Sequence, residues 1–176
     1  MIETIKNKIA RKILSNKYLA PKSSQADFNK FFTNAVDFIL VMPADDLDFH
    51  NSMEVVKALT TSNYLLTIVV PEHKYSLLQN KSKLRPITYT KEDQNFFNLP
   101  SQRLLDEIGK KSFDILIDLN RGENLFCSAL AKVIDADYKV GFAKPNADRY
   151  YNFQISANEI NSEISYRNLL NSLKMF

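Results

Sequence analysis

The sequence predicts an α/β domain: a doubly wound, Rossmann-like parallel sheet of about five strands with helices on both faces. Three observations predict it. Short runs made almost wholly of apolar residues, DFILVM, YLLTIVV and FDILIDL, recur along the chain, and a strand that is apolar on both sides needs cover on both faces. Between these runs lie segments whose apolar residues recur every three or four positions, the helical period. The chain has 176 residues, 45% of them hydrophobic, which suits one domain with a real core.

The first 22 residues, MIETIKNKIARKILSNKYLAPK, set Ile2, Ile5, Ile9 and Ile13 at helical spacing, extended by Leu14 and Tyr18. Lys6, Lys8, Arg11, Lys12, Lys17 and Lys22 lie largely opposite, against one acid, Glu3. Residues 1–22 are therefore expected as a basic amphipathic helix ended by Pro21, and 23–176 as a single Rossmann-like domain. The isoleucine stripe is expected to pack on its own domain or a partner chain, with contact at an anionic membrane surface as the second reading. Phe28, Phe31, Phe32 and Ala35 share one face of a second short helical pattern. Then Asp37 to Met42 is a buried strand, stopped by Pro43. Asp48 to Thr61 is a helix with Phe49, Met53, Val56 and Leu59 inward, and Tyr64 to Val70 is a strand halted by Pro71. Arg85 to Thr90 makes a weaker strand, Ser101 to Lys111 a helix ending near Gly109, and Phe113 to Leu119 the plainest strand of all. Leu125 to Ile134 is a helix of small residues, Tyr138 to Phe142 a strand, Tyr151 to Ile155 a candidate strand, and the last helix spans about 158–173.

Composition narrows the function classes. Three glycines in all leave little material for a glycine-rich phosphate loop. The lone Cys127 sits in an apolar helical stretch, LFCSALAKVI, with no basic neighbour to activate it, and reads as a buried, inert thiol. The two histidines, His50 and His73, are not at ligand spacing, so no zinc site is expected. The formal net charge of +3 is mild, and basic and aromatic residues do not interleave, so nucleic acid is not an expected partner. No apolar run approaches the roughly 20 residues of a membrane span, nor does the N-terminus hold a signal-peptide core. A cytoplasmic protein is expected, with a peripheral place at the inner face of the membrane as the extension of the membrane reading.

Doubly wound sheets bind ligands at the carboxyl ends of their strands. Two polar segments fall there: PADDLD after Met42, with Asp45, Asp46 and Asp48, and NRGEN after Leu119, with Asn120, Arg121, Gly122 and Asn124. These seven are the candidate site residues, with Asp45, Asp46, Asn120, Arg121, Gly122 and Asn124 as the ligand-binding set and Asp48 apart from it. Asp48 is expected to start the following helix, accepting a backbone N–H of its first turn. Three acids invite a divalent cation, yet no further acidic cluster completes an oxygen shell, so neither metal nor cofactor is expected. Arg121 suits an anionic ligand beside the open backbone of Gly122. The RYY triplet at Arg149 to Tyr151 has the rings to stack on a base or sugar, with packing as the favoured role.

ILVMPADDLD, DILIDLN and SALAKVIDADYKVGF together resemble the acceptor-side, N-terminal domain of family 9 glycosyltransferases, the heptosyltransferase type, over most of 37–142. The resemblance implies one half of a GT-B glycosyltransferase, with Asp48 at the position of the proposed general base. Leu47 stands where the family has glycine, and Phe126 or Cys127 where it has a lysine. The family's second, nucleotide-sugar-binding domain has no counterpart in these 176 residues. The layout also resembles an uncharacterised family of small stand-alone bacterial proteins.

The functional expectation is a non-catalytic, glycosyltransferase-like binding or assembly module that works with a protein partner or by self-association. Two alternatives stand beside it. One is an acceptor-binding component of a glycosyltransferase whose nucleotide-sugar domain comes from another chain; the other is a membrane-surface module acting through the N-terminal helix.

Overall fold

The computed structural model describes residues 2–17, 31–62, 64–156 and 161–175. One six-stranded, wholly parallel sheet organises them. Its strands are β1 (Asp37–Val41), β2 (Leu65–Pro71), β3 (Leu84–Tyr89), β4 (Ser112–Asp118), β5 (Asp135–Phe142) and β6 (Phe153–Ile155), in spatial order β3-β2-β1-β4-β5-β6. The helices are α1 (Ile2–Lys17), α2 (Phe31–Asn34), α3 (Asp46–Thr61), α4 (Glu72–Tyr75), α5 (Gln102–Ile108), α6 (Leu125–Val133) and α7 (Ser162–Leu173). This is the doubly wound architecture expected from the apolar runs. The candidate strand within Tyr151 to Ile155 is present as β6, three residues in register with Val140 to Phe142 of β5, which makes six strands.

The pleat of the central strands divides their side chains between two cores. Phe38, Leu40 and Met42 of β1 and its exit join Ile115 and Ile117 of β4 under α3 and α7, with Phe49, Val56, Leu59, Tyr166 and Leu169. Ile39, Val41 and Leu116 face the other way, toward Leu104 and Ile108 of α5 and Phe126, Cys127 and Leu130 of α6. Each such side chain, fully buried, contributes on the order of 1.5–3 kcal/mol. Pro86 lies in β3, at one edge of the sheet, where a missing N–H costs no ladder bond.

Helix α1 forms an outer layer against α6, and here the expected stripe is displaced. Ala10 and Leu14 are buried with Ala129 and Leu99, and Ile13 is partly covered. Ile5 and Ile9 remain 53% and 41% exposed. The contact with α6 is centred on the next row of the helix because small Ala10 permits close approach, which leaves Ile5 and Ile9 at its flank. Tyr18, Pro21, Lys22 and Phe28 lie outside the described residues. Among the described residues no helix is long and apolar enough to cross a membrane.

Candidate functional site

The strand order reverses between β1 and β4, so the loops leaving them diverge and open a crevice at their carboxyl ends. Asn120 ties the two loops together. Its amide nitrogen donates to Asp118 Oδ1 at 2.6 Å and to the Met42 carbonyl at 3.4 Å, and its Oδ1 accepts from the Ala44 N–H at 3.4 Å. On the β1 side, the helix-start role expected of Asp48 belongs to Asp45. Helix α3 begins at Asp46, and the Asp45 carboxylate accepts the Asp48 N–H at 2.9 Å. Asp45 keeps extended backbone just outside the helix, the geometry a cap requires, whereas Asp48 is already inside the first turn.

The Asp48 carboxylate is thereby free to turn across the crevice, where its Oδ1 lies 3.2 Å from Arg121 Nε. Burial raises its pKa above the ordinary carboxylate value and the Asp45 charge adds to this, while Arg121 opposes both. Arg121 also donates to Ser165 Oγ of α7 at 3.2 Å. Beside it, the buried Tyr166 donates its hydroxyl to the Leu119 carbonyl at 2.7 Å, fixing α7 against the exit of β4.

Beneath the crevice lies a buried polar network. Asp118, the last residue of β4, is wholly inaccessible and accepts the Asn120 N–H at 3.0 Å and the Tyr151 hydroxyl. Lys144, just after β5, places its ammonium 2.8 Å from Asp118 Oδ2 and 2.8 Å from the Asn120 carbonyl oxygen, with its side chain 3% exposed. A buried carboxylate is tolerable only with a counter-charge and satisfied lone pairs, and Asp118 has both. The Tyr151 ring reaches this position by lying on Gly141, where an added Cβ would come within 2.9 Å of three ring carbons. Burial pushes the Tyr151 hydroxyl and the Cys127 thiol well above their ordinary pKa values, so both are neutral and Cys127 is an inert core residue.

A second buried lysine steadies the β1 loop from the other side. Lys74 of α4 donates to the Ala44 carbonyl at 2.6 Å, pairs with Asp46 at 2.7 Å and lies 4.9 Å from the Phe49 ring centroid. Its hydrogen bond and charge hold Asp46 below the usual carboxylate range.

The resulting cleft encloses about 630 Å³ and is lined by Asp45, Asp48, Asn120, Arg121, Gly122 and Asn124, with Pro43, Ala44, Leu47, Glu123 and 143–145 completing it. Six of the seven candidate residues are thus brought together. Asp46 is not among the lining residues, because Lys74 draws its side chain away. Gly122 faces open space, and an alanine Cβ there would meet nothing within 4 Å. Asn124 caps α6 through its side-chain oxygen, which accepts the Cys127 N–H at 3.2 Å. Among the lining charges Asp48 pairs with Arg121, Glu123 with Arg11 of α1 at 2.7 Å, and Lys144 with the buried Asp118, so Asp45 stands as a carboxylate beyond these pairs. Such a lining offers hydrogen-bond acceptors in excess, with donors from Arg121 and Asn124, and suits a hydroxyl-rich neutral ligand better than a multiply charged anion. Among the described residues no group of three or more metal-ligating side chains comes together.

Sequence reasoning missed Asp118, Lys144 and Lys74, and it did not foresee the bond from the Tyr151 hydroxyl to Asp118. The signal for Asp118 was present: a charged residue closing the apolar run FDILID. Its partners lie 26 and 33 residues on, and nothing local announces the pairing. For RYY, packing is what Tyr151 does.

A solved structure described as a mutant form of enoyl thioester reductase from Candida tropicalis is similar over 96% of this chain and 46% of that one, at 12% identity and a TM-score of 0.40. This chain therefore spans less than half the length of that protein. None of the curated proteins matches the sequence. A family model does match residues 6–176, nearly the whole chain, most of helix α1 and the cleft included: the chain belongs to DUF6913, a family of unknown function.

Proposed function

We propose that the chain is a binding module resembling the acceptor half of a family 9 glycosyltransferase, non-catalytic by itself, which holds a polyhydroxylated ligand in the switch-point cleft. The observation that carries the reading is the lining itself. An excess of carboxylate oxygens faces amide and guanidinium donors across about 630 Å³ at the carboxyl edge of the sheet. The same lining opposes a nucleotide diphosphate, whose charge would meet Asp45 and find Arg121 already paired with Asp48. Saturation-transfer NMR with neutral monosaccharides and sugar phosphates tests it. Neutral sugars are expected to bind and the phosphates to bind less well, with Arg121→Gln weakening binding about tenfold or more through a lost charge-assisted hydrogen bond. No transfer from any sugar, or binding indifferent to Arg121→Gln, would refute the proposal.

A second reading has one observation in its favour: Asp48 lines the cleft with its pKa raised by burial. On this reading Asp48 is the general base of a transferase whose nucleotide-sugar domain another chain supplies. Sugar transfer on reconstitution with such a chain, lost in Asp48→Asn while sugar binding persists, would favour it over the first.

A further inference from the structure

We propose that the outer flank of α1 docks the protein on an anionic membrane surface. Ile5 and Ile9 stand one helical turn apart and are 53% and 41% exposed, and Phe96, 70% exposed, lies beside the same helix under the Lys6 ammonium, 3.9 Å from its ring centroid. All three are exposed large apolar side chains, and Phe96 is one of the most exposed described in the protein. An i, i+4 row of lysines, Lys8 and Lys12, runs next to the isoleucines on the helix surface, and both are exposed. The helix sequence 2–17 carries Lys6, Lys8, Arg11, Lys12 and Lys17 against the single acid Glu3. Apolar residues beside a row of cations on a helix lying flat on a domain are the elements of interfacial binding: the isoleucines enter the acyl boundary while the lysines meet phosphates.

Charge complementarity selects the occupant. A second copy of α1 would set lysines against lysines, whereas an anionic leaflet attracts every cation on the row. The opposite side of the helix is already committed, with Ala10 and Leu14 buried on α6 and the Leu14 carbonyl accepting from Lys132 Nζ at 2.8 Å. Arg11 pairs with Glu123 at 2.7 Å, and Glu123 lines the cleft. Docking through α1 therefore holds the cleft close to the bilayer surface.

Co-sedimentation of the full chain with phosphatidylcholine vesicles, with and without 30% phosphatidylglycerol, tests the proposal, using Ile5→Ser/Ile9→Ser and Lys8→Gln/Lys12→Gln variants. Binding is expected to anionic vesicles only, to weaken as salt rises, and to fall roughly fivefold for each lysine removed. The isoleucine variant is expected to lose at least tenfold in binding. Both variants should keep the parental melting temperature, because their side chains face away from the core, and this separates lost docking from lost folding. The proposal is overturned if anionic vesicles bring down no protein, if zwitterionic vesicles do so equally, or if the isoleucine variant binds as the parent does. It is likewise overturned if the parent binds no vesicles and forms a dimer that Ile5→Ser/Ile9→Ser abolishes.

Discussion

Replacing Lys144 by methionine isolates the interaction on which the floor of the cleft depends. The substitution keeps the length of the chain and removes the ammonium that lies 2.8 Å from Asp118 Oδ2. Asp118 then remains as a wholly buried carboxylate with only the Asn120 N–H and amide and the Tyr151 hydroxyl to accept. Breaking a buried pair from one side costs about 3–5 kcal/mol, because the surviving charge has neither water nor counter-ion. With a urea m-value of about 2 kcal/mol/M, the unfolding midpoint should fall by roughly 1.5–2.5 M with m unchanged. Asp118→Leu/Lys144→Met removes both charges, and its stability should lie much closer to the parent, since hydrophobic replacement of a whole buried pair is often neutral or better. Equilibrium urea unfolding of the parent, the single variants and the double variant completes a cycle whose coupling term reports the pair. A loss below about 1 kcal/mol for Lys144→Met, near what an exposed pair contributes, would refute the argument, because it would mean that water reaches Asp118.

Three further outcomes follow from the geometry. Gly141→Ala should cost about 1–3 kcal/mol, since its Cβ would meet the buried Tyr151 ring at 2.9 Å, whereas Gly122→Ala, facing open space, should leave the melting temperature unchanged. Asp45→Ala should cost about 0.5–2 kcal/mol through loss of the α3 cap, and Asp45→Asn much less because it keeps the accepting oxygen; equal losses would move the cap elsewhere. Burial lowers the Lys139 pKa from 10.5 to about 8, opposed by Asp135, so the unfolded chain binds more protons between those values. This contribution to stability is full above about 10.5 and is lost as pH falls through about 8; relative to Lys139→Met, the parent should gain stability as pH rises across that window.

What was legible in the sequence is what repeats within a few residues. The apolar runs of β1, β2 and β4 and the periodicity of α3, α6 and α7 announced the sheet and its covering layers, and prolines 43 and 71 marked where strands end. The carboxyl edge was legible too, because connectivity alone places the segments after Met42 and Leu119 there. Phase within a segment was harder to read. Asp45, Asp46 and Asp48 are all chemically able to cap, and which one does so depends on where α3 starts. That start is fixed by Lys74 drawing Asp46 outward and by Asn120 holding Ala44, from 28 and 76 residues away. In α1 the apolar arc is wider than the contact with α6. Local pattern found the arc, and only the packing of Ala10 on Ala129 chose the part to bury. The short α4 has too few residues to show a period.

The buried pair at the switch point also bears on what the cleft is for. Asp118 and Lys144 gain little net stability over a hydrophobic pair of the same volume, so stability alone does not account for two charges beneath the sheet's edge. What the pair adds is position: Lys144 reaches from the β5 exit to the Asn120 carbonyl, and Asp118 turns the Asn120 amide toward Met42. Asn120 in turn holds Ala44, the residue immediately before Asp45, which caps α3. Three strand exits, from β1, β4 and β5, are thus fixed by directional bonds where apolar packing would leave them free to slide. Arg121 stands on the loop after β4 and Asp48 in the first turn of α3, which follows the β1 loop, 3.2 Å apart across the opening. A site that recognises hydroxyls by direction needs its donors and acceptors held to a fraction of an ångström, and the polar floor beneath them supplies that rigidity.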